Sequence, residues 1–287
     1  MKMSALMSAA TVWAGLFAAT AVSAQVTGKV TLDGEAPEPQ QVNMGADPKC
    51  AAAHPNPVLD ESVVVGDNGE LANVVLSLTA EDKELKGDAP KDPVVLDQKG
   101  CQYAPHVVAM MVGQSLVVKN SDDFLHNVHS LPIDNPKQVN FGQPRKDEKG
   151  KDIGDTITVA ERFIIKCDMH PRTTAHVNAF DHPFFAVSNE KGEFSIPTKG
   201  LEDGAYTLEI WHEKLAGEPI TQEIEIKGGK ATVEEITMPA NAAALGDDAN
   251  ATVKLASAEE KACEESGGAC CGAKSKAEAL VAAAQGK

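Results

Sequence analysis

Two stretches decide how this chain folds: Val107–Ser130, VVAMMVGQSLVVKNSDDFLHNVHS, and Phe163–Val177, FIIKCDMHPRTTAHV. In the first, two apolar and β-branched runs, His106 to Val112 and Ser115 to Lys119, are split by Gly113-Gln114, which reads as two strands joined by a turn. The second opens on the apolar strand Phe163–Lys166. The same rhythm extends in both directions. Gln25 to Leu32 alternates and stops at Asp33-Gly34; Ser62 to Val65 runs into Asp67-Asn68-Gly69; Leu71 to Thr79, Pro93 to Leu96 and Thr156 to Val159 follow the pattern. Phe184 to Val187, Glu193 to Ile196, Tyr206 to Trp211, Thr221 to Ile226 and Ala231 to Ile236 complete it. Short strands at such spacing, with few helical periods, predict an all-β fold, a sandwich or a barrel. Ser130 to Asp155, rich in Pro, Lys, Asp and Gly, reads as an exposed excursion.

The chain has 287 residues, 26 Lys+Arg against 42 Asp+Glu and a formal charge of −16. A surface this acidic excludes a nucleic-acid partner, which needs basic patches, and disfavours an anionic lipid surface. Hydrophobic residues at 43% suffice for a core, whereas 4% aromatics leave little for a base-stacking platform. Residues 1–24 read as a signal peptide: Lys2 precedes an apolar run from Leu6 to Ala21, and Val22-Ser23-Ala24 offers small residues for cleavage after Ala24. No later stretch is apolar enough to span a membrane, so the expectation is an exported, periplasmic protein in a compartment that permits disulfides. From residue 240 onward Ala, Glu, Lys, Ser and Gly dominate, which reads as a flexible tail carrying Cys263, Cys270 and Cys271.

The sharpest constellation is His126-Asn127-Val128-His129, followed 41 residues after His126 by Cys167-Asp168-Met169-His170. One thiolate with two imidazoles is the equatorial donor set of blue-copper electron-transfer centres. On an extended strand His129 faces away from His126, so a structural role is favoured for it, as for His106 and His176.

On these residues, with Val112-Gly113-Gln114-Ser115-Leu116, residues 93–180 resemble a cupredoxin of the amicyanin and plastocyanin type. The resemblance implies a Greek-key sandwich with copper held by His126, Cys167 and His170, and Asn127 bracing the ligand loop. The short-loop relatives read Cys-x2-His-x2-Met; this chain has Thr173 at that axial position, and the longer spacing would give Ala175. Met169, between Cys and His, is expected to point away. A second resemblance frames the first. Gly28–Gly34, Ala72–Leu78 and Asn189–Leu208 resemble a carboxypeptidase-regulatory-like sandwich of the transthyretin type. That implies one discontinuous domain, 25–92 and 181–239, with the copper domain inserted into it; two sequential domains are the alternative.

Cys50 and Cys101 are expected to form a disulfide; the rival is a second metal bound by Cys50 with His54 or Cys101 with His106. Vicinal Cys270-Cys271 could bind a soft ion or oxidise. Enzyme motifs such as Gly-x-Ser-x-Gly and His-Glu-x-x-His are missing from the sequence, and an iron dioxygenase of two Tyr and two His lacks its His pair after Tyr206. Two functions stay open: an exported single-copper protein, electron carrier or copper handler, with a redox-protein partner; or a copper-free envelope scaffold.

Overall fold

The computed structural model describes residues 24–170, 172–215 and 219–240. The expected leader, and the tail with Cys263, Cys270 and Cys271, lie outside the described residues apart from Ala24 and Ala240. Within them the chain is all-β, with one short α-helix, Pro48–Ala53.

Four sheets pair into two sandwiches. In the first, Gln25–Asp33 lies between Glu193–Pro197, antiparallel, and Ala231–Pro239, parallel. The facing sheet runs Phe185–Val187, Val75–Thr79, Gly204–Trp211 and Ile220–Ile226, all antiparallel. Val26, Val30, Ile196 and Ile236 from one sheet meet Leu76, Leu78, Leu208 and Ile226 from the other in one core. Gly192, at φ +70°, turns the chain into the Glu193–Pro197 strand, where a Cβ would lie 2.2 Å from the Val30 carbonyl oxygen. Only glycine fits both that conformation and that approach.

The second sandwich comes from the chain between these pieces. Its five-stranded sheet is ordered Asn140–Gln143, His126–Leu131, Arg162–Lys166, Thr174–Phe180 and Val107–Met111. Its four-stranded sheet is ordered Asp147–Asp152, Leu116–Asn120, Val94–Lys99 and Gln102–Ala104. Leu96, Leu116 and Val118 pack against Val108, Met110, Val128, Ile165 and Val177. Val75 and Trp211 of the first sandwich meet Val107 of the second in a third, smaller cluster. The strand Val75–Thr79 thereby has partners on both faces: Leu76 and Leu78 pack in the first core and Val75 in the junction cluster.

Three local expectations are corrected. The stretch 130–155 is not an excursion, because Asn140–Gln143 and Asp147–Asp152 pair at the edges of both sheets. Thr156 to Val159 is no strand; a 3-10 turn, Gly154–Thr156, occupies its start. Ser62 to Val65 contributes a single bridge, Val65 to Leu71. Among the described residues no helix is long and apolar enough to cross a membrane.

Asn120 ties the strands to the loop that follows. Fully buried, it donates from Nδ2 to the carbonyls of Phe124, Gln143 and Arg145 at 3.0–3.2 Å and accepts from Asp122 N at 2.9 Å. Replacing it strands buried acceptors, so Asn120→Ala should cost about 1–3 kcal/mol. Urea unfolding should show a lower midpoint at unchanged m-value; an unshifted midpoint would refute this.

Candidate metal centre

His126 opens the strand His126–Leu131, Cys167 follows directly on its neighbour, the central strand Arg162–Lys166, and His170 lies in the loop beyond. The strands pair antiparallel with His129 opposite Lys166. Alternation therefore buries His126, Val128 and Ser130 and turns Asn127 and His129 outward. The loop closes on itself: Cys167 N donates to Thr173 O at 2.9 Å and Thr173 N to His170 O at 2.8 Å.

These elements bring the three expected donors together. Cys167 Sγ lies 3.7 Å from His126 Nδ1 and 3.4 Å from His170 Nδ1. All three side chains are buried, and Cys167 is a free thiol. Metal bonds of about 2.0 Å to imidazole and about 2.3 Å to thiolate, the lengths zinc makes, put nitrogen and sulfur about 3.5–3.7 Å apart at angles of 110–120°. The donor chemistry and the spacing both fit one ion.

The surroundings orient each donor. Asp122 Oδ2 faces His126 Nε2 at 2.9 Å, which leaves Nδ1 as the inward nitrogen. The same carboxylate accepts from the backbone N–H groups of Gly100 and Cys101, binding that turn to the ligand. Asn127 N donates to Cys167 Sγ at 3.4 Å. Burial by itself would raise the Cys167 thiol, but His126 and the N–H groups of Asn127, Met169 and His170 outweigh it and hold the thiol below its ordinary value. For His126 burial works downward; Asp122 and the Cys167 sulfur prevail and raise it to about 9. For His170 burial and the neighbouring His126 both push downward.

Asn127 braces the loop as the resemblance implied. Its Oδ1 accepts from Asp168 N at 2.6 Å and its Nδ2 donates to Asp168 Oδ2 at 3.0 Å. His129 faces away from the donors, with Nδ1 2.9 Å from Asp168 Oδ2. Met169 points to solvent, 56% exposed. Thr173 is buried and its hydroxyl donates to the Cys101 carbonyl.

Cys50 and Cys101 form a disulfide, with Cα atoms 5.7 Å apart. Both sulfurs lie within 4.8 Å of an imidazole nitrogen of His170, so the bridge forms a wall of the site. It anchors the Pro48–Ala53 helix, whose N-cap Asp47 reaches to 3.6 Å from His170 Nε2. Sequence reading missed Asp47 and Asp122. Asp122, four residues before His126, left a weak trace; Asp47, 123 positions from His170, left none.

No protein-family model matches the chain, and no curated protein matches it. Several solved structures are similar over part of it. A copper-containing nitrite reductase from Thermus scotoductus SA-01 is 18% identical over 36% of this chain and 25% of its own, at TM-score 0.27. A mutant of amicyanin in its Cu(I) form is 20% identical over 37% of this chain and 98% of its own, at TM-score 0.27. A purple cupredoxin from Nitrosopumilus maritimus is 18% identical over 30% and 99%, at TM-score 0.24. This chain thus spans a quarter of the nitrite reductase. Likenesses this partial carry no argument about function, which rests on the donor geometry.

Asp168 supplies a pH test. Its carboxyl is held far below the usual range, first by His129 and, against partial desolvation, by Asn127 and Lys166. A depressed native value stabilises the fold above the unfolded value of about 3.9, and that contribution is lost as pH falls below it. The stability advantage of wild type over Asp168→Asn should therefore shrink between pH 5 and pH 3 in urea melts. A constant difference would show that the clamp does not hold in solution.

Proposed function

We propose that this chain is an exported single-copper protein, with His126, Cys167 and His170 as ligands, that carries electrons to or from a redox-protein partner. The observation that carries the reading is the approach of one buried free thiol to two imidazole Nδ1 atoms at 3.4 and 3.7 Å. A bound copper ion would supply one-electron chemistry between Cu(II) and Cu(I). The protein's own task is to keep its donors still while charge changes. Asn127 ties the loop to the strand, Asp122 fixes the His126 tautomer, and the disulfide pins the wall beside His170.

That rigidity favours electron carriage over copper delivery. Handing over an ion requires the ligands to move apart, whereas this loop is closed by two internal hydrogen bonds and braced from outside by four side chains on Asp168, those of Asn127, His129, Asn140 and Lys166. On this reading the chain acts as a carrier rather than an enzyme. The outer sandwich, with its resemblance to carboxypeptidase-regulatory-like domains, serves as scaffold. The copper-free scaffold remains the alternative, motivated by Thr173 in place of a thioether.

Cu(II) added to metal-free protein should produce a visible thiolate-to-copper charge-transfer band. Cys167→Ser should abolish it, and Asn127→Ala should keep it while weakening copper binding by about 10–100-fold. A colourless wild-type protein under saturating Cu(II) would sink the proposal and leave the scaffold.

A further inference from the structure

A second group of donors lies where the two sandwiches meet. His106 immediately precedes the Val107–Met111 strand, and His176 belongs to its parallel neighbour Thr174–Phe180, paired with Val107. His176 N donates to His106 O at 2.9 Å, so the backbone fixes the two imidazoles side by side, with ring centroids 5.4 Å apart. Glu213 arrives from the other sandwich, two residues beyond the Gly204–Trp211 strand, whose Trp211 packs in the junction cluster. Its carboxylate faces both rings: Oε1 meets His106 Nε2, and Oε2 lies 2.9 Å from His176 Nε2.

We propose that His106, His176 and Glu213 form a second metal site, separate from the Cys167 centre, that takes a divalent first-row ion of borderline softness such as Zn(II) and thereby bridges the two sandwiches. Three observations converge on this. Both Nε2 atoms and a carboxylate oxygen lie within 4.8 Å of one another. Two imidazoles and a carboxylate, with no thiolate, suit Zn(II) or Cu(II) and give a soft Cu(I) ion no preferred donor. Among the described residues Glu213 has no Lys or Arg partner; its ion-pair contacts are the two imidazoles alone. A nearly buried carboxylate, 5% exposed, thus lacks a permanent positive charge, and a divalent ion supplies one. Ligand bonds of about 2.0–2.1 Å at tetrahedral angles separate nitrogen from oxygen by about 3.3–3.4 Å. The His176–Glu213 contact needs to open only a few tenths of an ångström. The imidazoles are 12% and 15% exposed, which leaves a water room for the fourth position.

The rival is a hydrogen-bonded clamp that never binds metal. The full chain carrying Cys167→Ser, with its remaining free thiols alkylated, removes thiolate sites from the assay and makes the result independent of the copper reading. Titrated with Zn(II) in a calorimeter, it should bind one ion at this site and gain thermal stability. Co(II) in place of Zn(II) should show visible d–d bands. Adding Glu213→Gln, or separately His106→Gln, should weaken that binding by at least about 100-fold, since even orienting residues cost 10–100-fold. The zinc-dependent rise in Tm should go with it. Near-ultraviolet circular dichroism identifies any variant that has not folded, and the other variant then decides. Absence of Zn(II) binding to the folded Cys167→Ser chain, or binding that neither substitution alters, would overturn the site.

Discussion

The pairing of His129 with Lys166 sets the geometry of everything around the thiol. In this register the first turn beyond Lys166 delivers Cys167 beneath the Asn127 N–H and beside His126. A slip of one residue would turn His126 and Val128 toward solvent and send Asn127 and His129 inward. Such a slip would bury two polar side chains in the core that Val128 shares with Ile165 and Val177, so the apolar pattern itself holds the donors in place. The metal centre thus inherits its precision from hydrophobic alternation rather than from ligand chemistry.

This explains which parts of the molecule were legible in the sequence. His126, Cys167 and His170 lie on or directly after strands whose periodicity is strong, and Cys167 and His170 share a loop of a few residues; local order sufficed to bring them together. His129 was read correctly as outward-facing from the same period. The pairs that sequence did not reveal are those made by tertiary packing between distant segments. Asp47 reaches His170 only because the Cys50–Cys101 bridge draws the helix against the turn at Gly100. His106 and His176 were read singly as structural residues, and Tyr206 to Trp211 only as a strand. Their meeting depends on how one sandwich is set on the other, for which a period of two holds no information. The stretch 130–155 was misread for a related reason: Asn140–Gln143 and Asp147–Asp152 are polar edge strands, exposed on most positions, and so lack the apolar alternation that marks a strand.

The charge pattern follows the same division. Around Cys167 the charges are matched locally: the buried His126 with Asp122, and the half-exposed Asp168 with His129 and Lys166. Each pair lies within one sandwich, and each ties a loop to a strand. At the junction the Glu213 carboxylate comes from one sandwich and the His106 and His176 imidazoles come from the other. Burying an ion is costly unless geometry and hydrogen bonds compensate. Glu213 therefore favours the one arrangement of the sandwiches that keeps both rings on its oxygens, and burial of Val75, Trp211 and Val107 beside it favours the same arrangement.

Two strand pairs of the five-stranded sheet consequently do different work. Pairing of the His126 and Cys167 strands presents donors to a loop that the sheet itself supplies, so a complete set of two imidazoles and a thiol exists within residues 126–170. Across the sheet His106 and His176 sit on the neighbouring pair, yet two imidazoles without a third donor hold an ion poorly. The outer sandwich completes that set through Glu213, and the segment that leaves its first strand walls the first centre through Asp47 and Cys50. A scaffold that touches both centres constrains them together: any shift of one sandwich against the other moves Glu213 relative to His176 while also straining the tether at Cys101. On the proposed reading of the two sites, the framing domain is thereby a mechanical part of both, which an independent passive support would not be.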